Sequence, residues 1–242
     1  MIGLQLALTA EAGALIEALT GTCEHAESGQ RILVGRLAGH AVALAISGIG
    51  KVAAAHTATL LARHVSALLV VGTAGGLGAG VGPGDVVVAT AALQHDLDAR
   101  PLFDRWVQPE SGLSRFPVDP AWTRALLAAA DQVVSGQAGA GVTGREPRRH
   151  AGLLVSGDRF IGSAKTAQRL RRDLPDALAV DMESAAVAQV CHAAGTPIGI
   201  VRTISDRADG DAGVDFGAFV RGAARLHRDL VITALAAQAE AT

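Results

Sequence analysis

Apolar residues in this chain gather into short unbroken runs, each ending on polar or glycine-rich residues. That rhythm predicts strands covered on both faces. Ile2 to Leu8 is such a run and leads through Thr9-Ala10-Glu11 into a helix. Ala67 to Val71 leads into Gly72-Thr-Ala-Gly-Gly76, Asp85 to Ala91 toward His95-Asp96, and Gly152 to Val155 into Ser156-Gly-Asp-Arg-Phe-Ile161. Ala177 to Val180 and Ile198 to Val201 flank a helix predicted over Ser184 to Ala194, rich in Ala, Val and Gln and stopped by Gly195 and Pro197. Glu11, Glu183 and Asp206 therefore each follow a strand. Ligands of open α/β sheets bind outside the carboxyl ends of the strands, so one sheet edge is expected to gather the carboxylates.

Composition narrows the class. A chain of 242 residues suits one α/β domain spanning residues 1–242. Half the residues are hydrophobic and only 3% aromatic, so the core must be mainly Ala, Val, Leu and Ile. A net charge of -2 gives no reason to expect nucleic acid or an anionic membrane as partner. No basic region precedes the first strand, so no signal peptide is expected. Val65 to Gly84 is uncharged, but its seven glycines and Pro83 argue against a membrane helix. Cys23 and Cys191 lack metal or redox spacing and read as reduced thiols of a cytoplasmic protein. Ser135 to Arg149, with Arg145, Arg148 and Arg149, reads as a solvated, mobile loop.

Several ordered motifs together resemble the nucleoside phosphorylase superfamily, and within it the bacterial methylthioadenosine/S-adenosylhomocysteine nucleosidases. They are Ser47-Gly-Ile-Gly-Lys-Val52, Gly72-Thr-Ala-Gly-Gly-Leu77, Gln94-His-Asp-Leu-Asp-Ala-Arg-Pro-Leu-Phe103, Val155-Ser-Gly-Asp-Arg-Phe-Ile161, Asp181-Met-Glu183 and Val201-Arg-Thr-Ile-Ser-Asp206. The resemblance spans nearly the whole chain and implies a single α/β domain with a central, twisted, mixed sheet flanked by helices. It also implies cleavage of a purine–ribose bond through an oxocarbenium-like sugar, which needs a protonated leaving group and a positioned water. Asp206 would then protonate or hydrogen-bond N7 of the purine, and Glu11 would hold and deprotonate the water. Glu183 would bind the ribose hydroxyls and stabilise the developing cation, and Arg202 would help orient the water.

The substrate contacts implied in the same way are Phe160 stacked on adenine, the backbone of Ile161 on its Watson–Crick edge, Met182 under the ribose, and Thr73, Ala74 and Gly75 as the wall beside them. Ile49, Asp181, Ser205 and Phe216 complete the set. Leu102 and Phe103 would reach into a neighbouring subunit's pocket and cover the 5′-thioalkyl group, which implies a homodimer. No metal or organic cofactor is implied. Two departures stand out: Thr73 where many relatives carry Ser, and Asp181 where several carry Glu.

Blander readings exist for each residue. A Glu at a helix start complements the helix dipole, an acid like Asp206 can cap a turn, and Phe160 and Met182 are core types. His95 is assigned no catalytic role, and no clean G-x-G-x-x-G opens the first βα unit for a dinucleotide. Phosphorolysis is disfavoured because Val70, Thr9 and Ala10 stand where the superfamily's phosphorylases carry cations, and Glu11 would repel phosphate. The alternatives are a futalosine or aminodeoxyfutalosine nucleosidase, a purine nucleoside phosphorylase, or a nucleoside-binding protein without turnover.

Overall fold

The computed structural model describes residues 1–136, 146–208 and 216–240; the side chains of residues 216–218 and 239–240 are outside that description. The elements in chain order are β1 (Ile2–Leu6), α1 (Thr9–Ala18), β2 (Thr20–Glu27), β3 (Gln30–Leu37), β4 (His40–Ile46), α2 (Lys51–Ala62), β5 (Ala67–Gly76) and β6 (Val86–Gln94). They continue as β7 (Phe116–Pro117), α3 (Pro120–Gly136), β8 (Arg149–Ser156), α4 (Ala164–Asp173), β9 (Ala177–Asp181), α5 (Ser184–Ala194), β10 (Ile198–Asp206) and α6 (Phe216–Glu240). The strands form one mixed sheet ordered β10-β6-β8-β9-β5-β1-β4-β3-β2, with β7 on β6. β5 also pairs with β10, which closes five strands into a ring.

Alternation along the strands sorts side chains to two faces. Leu69 and Val71 of β5 and Val201 of β10 pack with Leu15, Leu126 and Leu230 under α1, α3 and α6. Leu68 and Val70 of β5 with Ile198 and Ile200 of β10 pack on Ala54, Leu61, Val187 and Cys191 under α2 and α5. Both faces of the central strands are thus dry, which is why they read as unbroken apolar runs. Helix α5 ends on Gly195, whose φ of 66° is the left-handed conformation that glycine adopts without a Cβ clash.

The expected gathering of carboxyl ends along one sheet edge needs correction. β1, β4, β5 and β10 run parallel to one another, but β6, β8 and β9 form a second parallel set running the other way. β9 meets β5 antiparallel, and only at the tips, through Gly75 opposite Val180 and Gly76 opposite Ala179. The carboxyl ends therefore approach from opposite directions and meet tip to tip.

Other boundaries also differ. β1 stops at Leu6, so Glu11 sits in the first turn of α1, and β10 continues through Arg202 to Asp206 itself. Ser135 belongs to α3 and Arg149 opens β8, so neither is loop. Arg148 donates its backbone N–H to buried Asp85 at 2.8 Å, while Gly144 and Arg145 lie outside the described residues. The chain between Thr20 and Ile46 forms three antiparallel strands absent from the sequence-based expectation: β2 is exposed along almost its whole length and carries no apolar run, whereas Ala41 to Ile46 of β4 is an unbroken one. Cys23 on β2 is exposed, Cys191 on α5 is buried, and neither is in a disulfide. Among the described residues no helix is long and apolar enough to cross a membrane.

Candidate active site

Three carboxylates reach the junction of the two strand sets, each held by a local device. Glu11 is 2% exposed. Its Oε2 accepts the Leu8 N–H at 3.1 Å, closing the first turn of α1, and its Oε1 accepts both the N–H and the hydroxyl of Thr73 at 2.8 Å. Glu183 precedes α5, and its Oε1 accepts the N–H of Gly50, the residue before α2, at 2.9 Å. Asp206 ends β10 beside a bulge: the register on β5 shifts between Ile204 and Asp206, leaving Ser205 as the extra residue, and such a bulge re-aims the side chains around it. Its Oδ2 accepts from Ser205 Oγ and its Oδ1 from the Ala208 N–H, both at 2.7 Å.

Beneath them lies Arg202, 1% exposed. Its Nη2 lies 2.7 Å from Asp181 Oδ2 and 3.7 Å from Glu183 Oε2, and it donates to Ser184 Oγ at 2.9 Å. Asp181 in turn accepts from Ser156 Oγ, Ser184 Oγ and the N–H groups of Glu183 and Ser184. The guanidinium needs room that only glycine leaves. A Cβ on Gly72 would collide with Arg202 Nη1 and stand 3.0 Å from Glu11 Oε1.

Glu11, Glu183 and Asp206 line one hollow of about 620 Å³, together with Ile49, Thr73, Ala74, Gly75, Phe160 and Met182. A side recess of about 40 Å³ adds Ile161. The size suits a nucleoside, and the walls are mostly apolar with few polar groups.

A family model described as the phosphorylase superfamily matches residues 1–236. A curated 5′-methylthioadenosine/S-adenosylhomocysteine nucleosidase of Actinobacillus succinogenes is 35% identical over 240 residues, covering 97% of this chain and 98% of its own length. This chain belongs to the 5′-methylthioadenosine/S-adenosylhomocysteine nucleosidase family of that superfamily. Solved nucleosidases share its fold. The Neisseria meningitidis nucleosidase, crystallised with methylthio-immucillin-A, is 33% identical with a TM-score of 0.85, covering 97% of each chain. The Colwellia psychrerythraea nucleosidase, crystallised with adenine, is 28% identical with a TM-score of 0.88, covering 98% of this chain and 94% of its own.

Against this nucleosidase fold, the residues singled out in the sequence divide into three groups. Glu11, Glu183, Asp206, Ile49, Thr73, Ala74, Gly75, Phe160, Ile161, Met182, Asp181 and Ser205 all border the hollow or its recess. Arg202 lies behind the carboxylates and is not part of the lining, and the carboxylate of Asp181 is turned inward to Ser156, Ser184 and Arg202. Leu102 and Phe103 stand outside, 82% and 45% exposed, and the side chain of Phe216 lies outside the described residues. His95 is buried, is not part of the lining, and burial holds its imidazole below the usual range. The sequence reading missed Ala7, Leu8, Pro83, Val180, Arg207 and Phe219 in the lining. Leu8 and Val180 had a usable signal, since each ends an apolar run next to a carboxylate; Phe219 comes from α6, whose long-range docking no local pattern announces.

Burial, reinforced by the neighbouring Asp181 carboxylate, pushes Glu183 up from 4.5 to about 7 against the opposing pull of Arg202 and the Gly50 N–H. Glu183 thus binds its proton more tightly folded than unfolded. The stability it contributes is complete below about 4.5 and is lost as pH rises through about 7. Relative to the unaltered protein, Glu183→Gln should gain stability on the order of 2 kcal/mol between pH of about 5 and about 8. Urea midpoints of the ligand-free proteins measure this; a difference that stays flat, or moves the other way, contradicts the assignment.

Proposed function

We propose that this chain hydrolyses the N-glycosidic bond of 5′-methylthioadenosine and S-adenosylhomocysteine, releasing adenine and the 5′-thioribose. One observation carries the reading: Glu11, Glu183 and Asp206, far apart in sequence, line a single nucleoside-sized hollow with Phe160 and Met182. As the C1′–N9 bond breaks, its electron pair goes to the purine, and Asp206 gives N7 a proton or hydrogen bond so that the base leaves neutral. Positive charge grows on the ribose, and Glu183 stabilises it while accepting from the ribose hydroxyls. Water adds to C1′ and passes a proton to Glu11. Arg202, lying behind the carboxylates, acts on the water through the charge and placement of Glu11 and Glu183.

Phe160, exposed at the mouth, supplies a face for adenine, with the Ile161 backbone at its edge, Thr73 to Gly75 as the wall and Met182 below the sugar. Water rather than phosphate is the nucleophile. The Arg202 guanidinium is already matched to Asp181, and the Glu11 carboxylate would repel a dianion. Adenine release from either nucleoside in phosphate-free buffer is the expected result; strict dependence on added phosphate, or release from inosine or futalosine alone, would overturn the proposal. Asp206→Asn should lower kcat by about 10²- to 10⁴-fold with little change in KM, since the lost proton matters only as the bond breaks. An undiminished kcat removes Asp206 from the role.

A homodimer completes this reading. Ile49, Val52, Leu102 and Phe103 are large apolar side chains left 59%, 82%, 82% and 45% exposed, and such exposure is what an unfilled protein interface presents. Leu102→Asp should yield a monomer in sedimentation velocity and raise KM for methylthioadenosine; a variant that sediments as the unaltered protein does would exclude this segment from the interface.

A further inference from the structure

Arg171, in the last turn of α4, grips three main-chain carbonyls with one guanidinium. Nε donates to Leu77 O at 2.8 Å, and Nη2 donates to Arg207 O at 2.9 Å and to Gly76 O at 3.3 Å. Gly76 ends β5 and Leu77 follows it; the neighbouring Gly75 pairs with Asp206, and Arg207 follows Asp206 directly. The decisive detail is one peptide group. The carbonyl of Arg207 and the N–H of Ala208 belong to the same planar unit. Its oxygen is held by Arg171, while its N–H donates to Asp206 Oδ1 at 2.7 Å. A planar unit cannot turn its oxygen without turning its N–H, so the guanidinium fixes the donor that orients Asp206. A charge-assisted bond on the oxygen also polarises the amide and strengthens the bond its N–H makes.

We propose that Arg171 is a positioning residue for Asp206, acting through the Arg207–Ala208 peptide group. This rests on the leaving-group role proposed for Asp206. A surface arginine would account for nothing more than a favourable charge at a helix carboxyl end, worth a fraction of the stability and nothing in catalysis. Arg171 differs because it ties a helix, the end of β5 and the turn after β10 into one contact. Local misplacement of a catalytic group is costly to rate even when the fold survives.

The test separates positioning of the acid from general damage by changing the leaving group. Methylthioadenosine loses adenine, whose departure calls for a proton. The 4-nitrophenyl riboside with the same 5′-methylthio group loses 4-nitrophenolate: the C1′–O bond breaks, its electron pair stays on the phenolate oxygen, and no proton is needed. Water adds to C1′ in both and gives its proton to Glu11. For Arg171→Met, kcat on methylthioadenosine should fall about 10- to 100-fold with KM changed less than about threefold, while the aryl substrate is turned over within about twofold of normal. Arg171→Lys, which can still donate to one carbonyl, should lie between. Equal losses on both substrates, or no loss on either, overturn the proposal, and if Arg171→Met does not fold, the same differential in Arg171→Lys decides. The rate of the unaltered protein on methylthioadenosine tests the functional reading separately. Amide exchange at Ala208 reads the peptide group without any turnover: it should quicken more than about tenfold in Arg171→Met, and an unchanged rate counts against the mechanism.

Discussion

A buried guanidinium is the constraint around which this site is built. Arg202 is 1% exposed, and an ion stripped of water is tolerable only if opposite charge and hydrogen bonds replace the water. Asp181 supplies the charge at 2.7 Å and Ser184 Oγ an acceptor at 2.9 Å. Asp181 is itself fixed by Ser156, Ser184 and the amide groups opening α5. Two further carboxylates, Glu11 and Glu183, then crowd the same cation. Burial, together with the neighbouring Asp181 carboxylate that already holds the cation most closely, pushes Glu183 up to about 7. The bare backbone of Gly72 is what lets the guanidinium and Glu11 approach β5 so closely.

The sheet brings these groups together by opposing two sets of strands rather than aligning one. β5 and β10 deliver Thr73 and Asp206 from one direction; β8 and β9 deliver Ser156, Asp181 and Glu183 from the other. Because β5 and β9 share only two residue pairs at their tips, the ends splay around a hollow instead of sealing into continuous ladder. The tight backbone at Gly75 and Gly76 marks where the two sets touch. Relatives at about a third identity keep this arrangement over nearly their full length, with a TM-score of 0.85 in one case.

What could be read from the sequence follows from how local each signal is. The helix Ser184–Ala194 emerged with its observed bounds because composition, a left-handed Gly195 and Pro197 all act within a few residues. The apolar run of β10 stops at Val201, since Arg202, Ser205 and Asp206 interrupt it even though they remain in the strand; the polar residues gathered at the site are the ones that hide a strand. Pairing direction is decided by residues far apart in sequence, so the antiparallel meeting of β5 and β9 left no trace in any single segment. Arg202 would by type belong at the surface, and only the three-dimensional clustering of acids reveals why it is inside. The strand pattern points to Glu11, Glu183 and Asp206 as carboxylates past strand ends, whereas their roles and the substrate contacts are implied by the resemblance alone.

The two cysteines have a practical consequence. Burial pushes the Cys191 thiol up to about 12, so at neutral pH it holds its proton and is shielded as well. Cys23 faces solvent on β2 and does not border the hollow. A maleimide dye would therefore attach at a single known point of the native protein, giving a fluorescence reporter with no engineered residue.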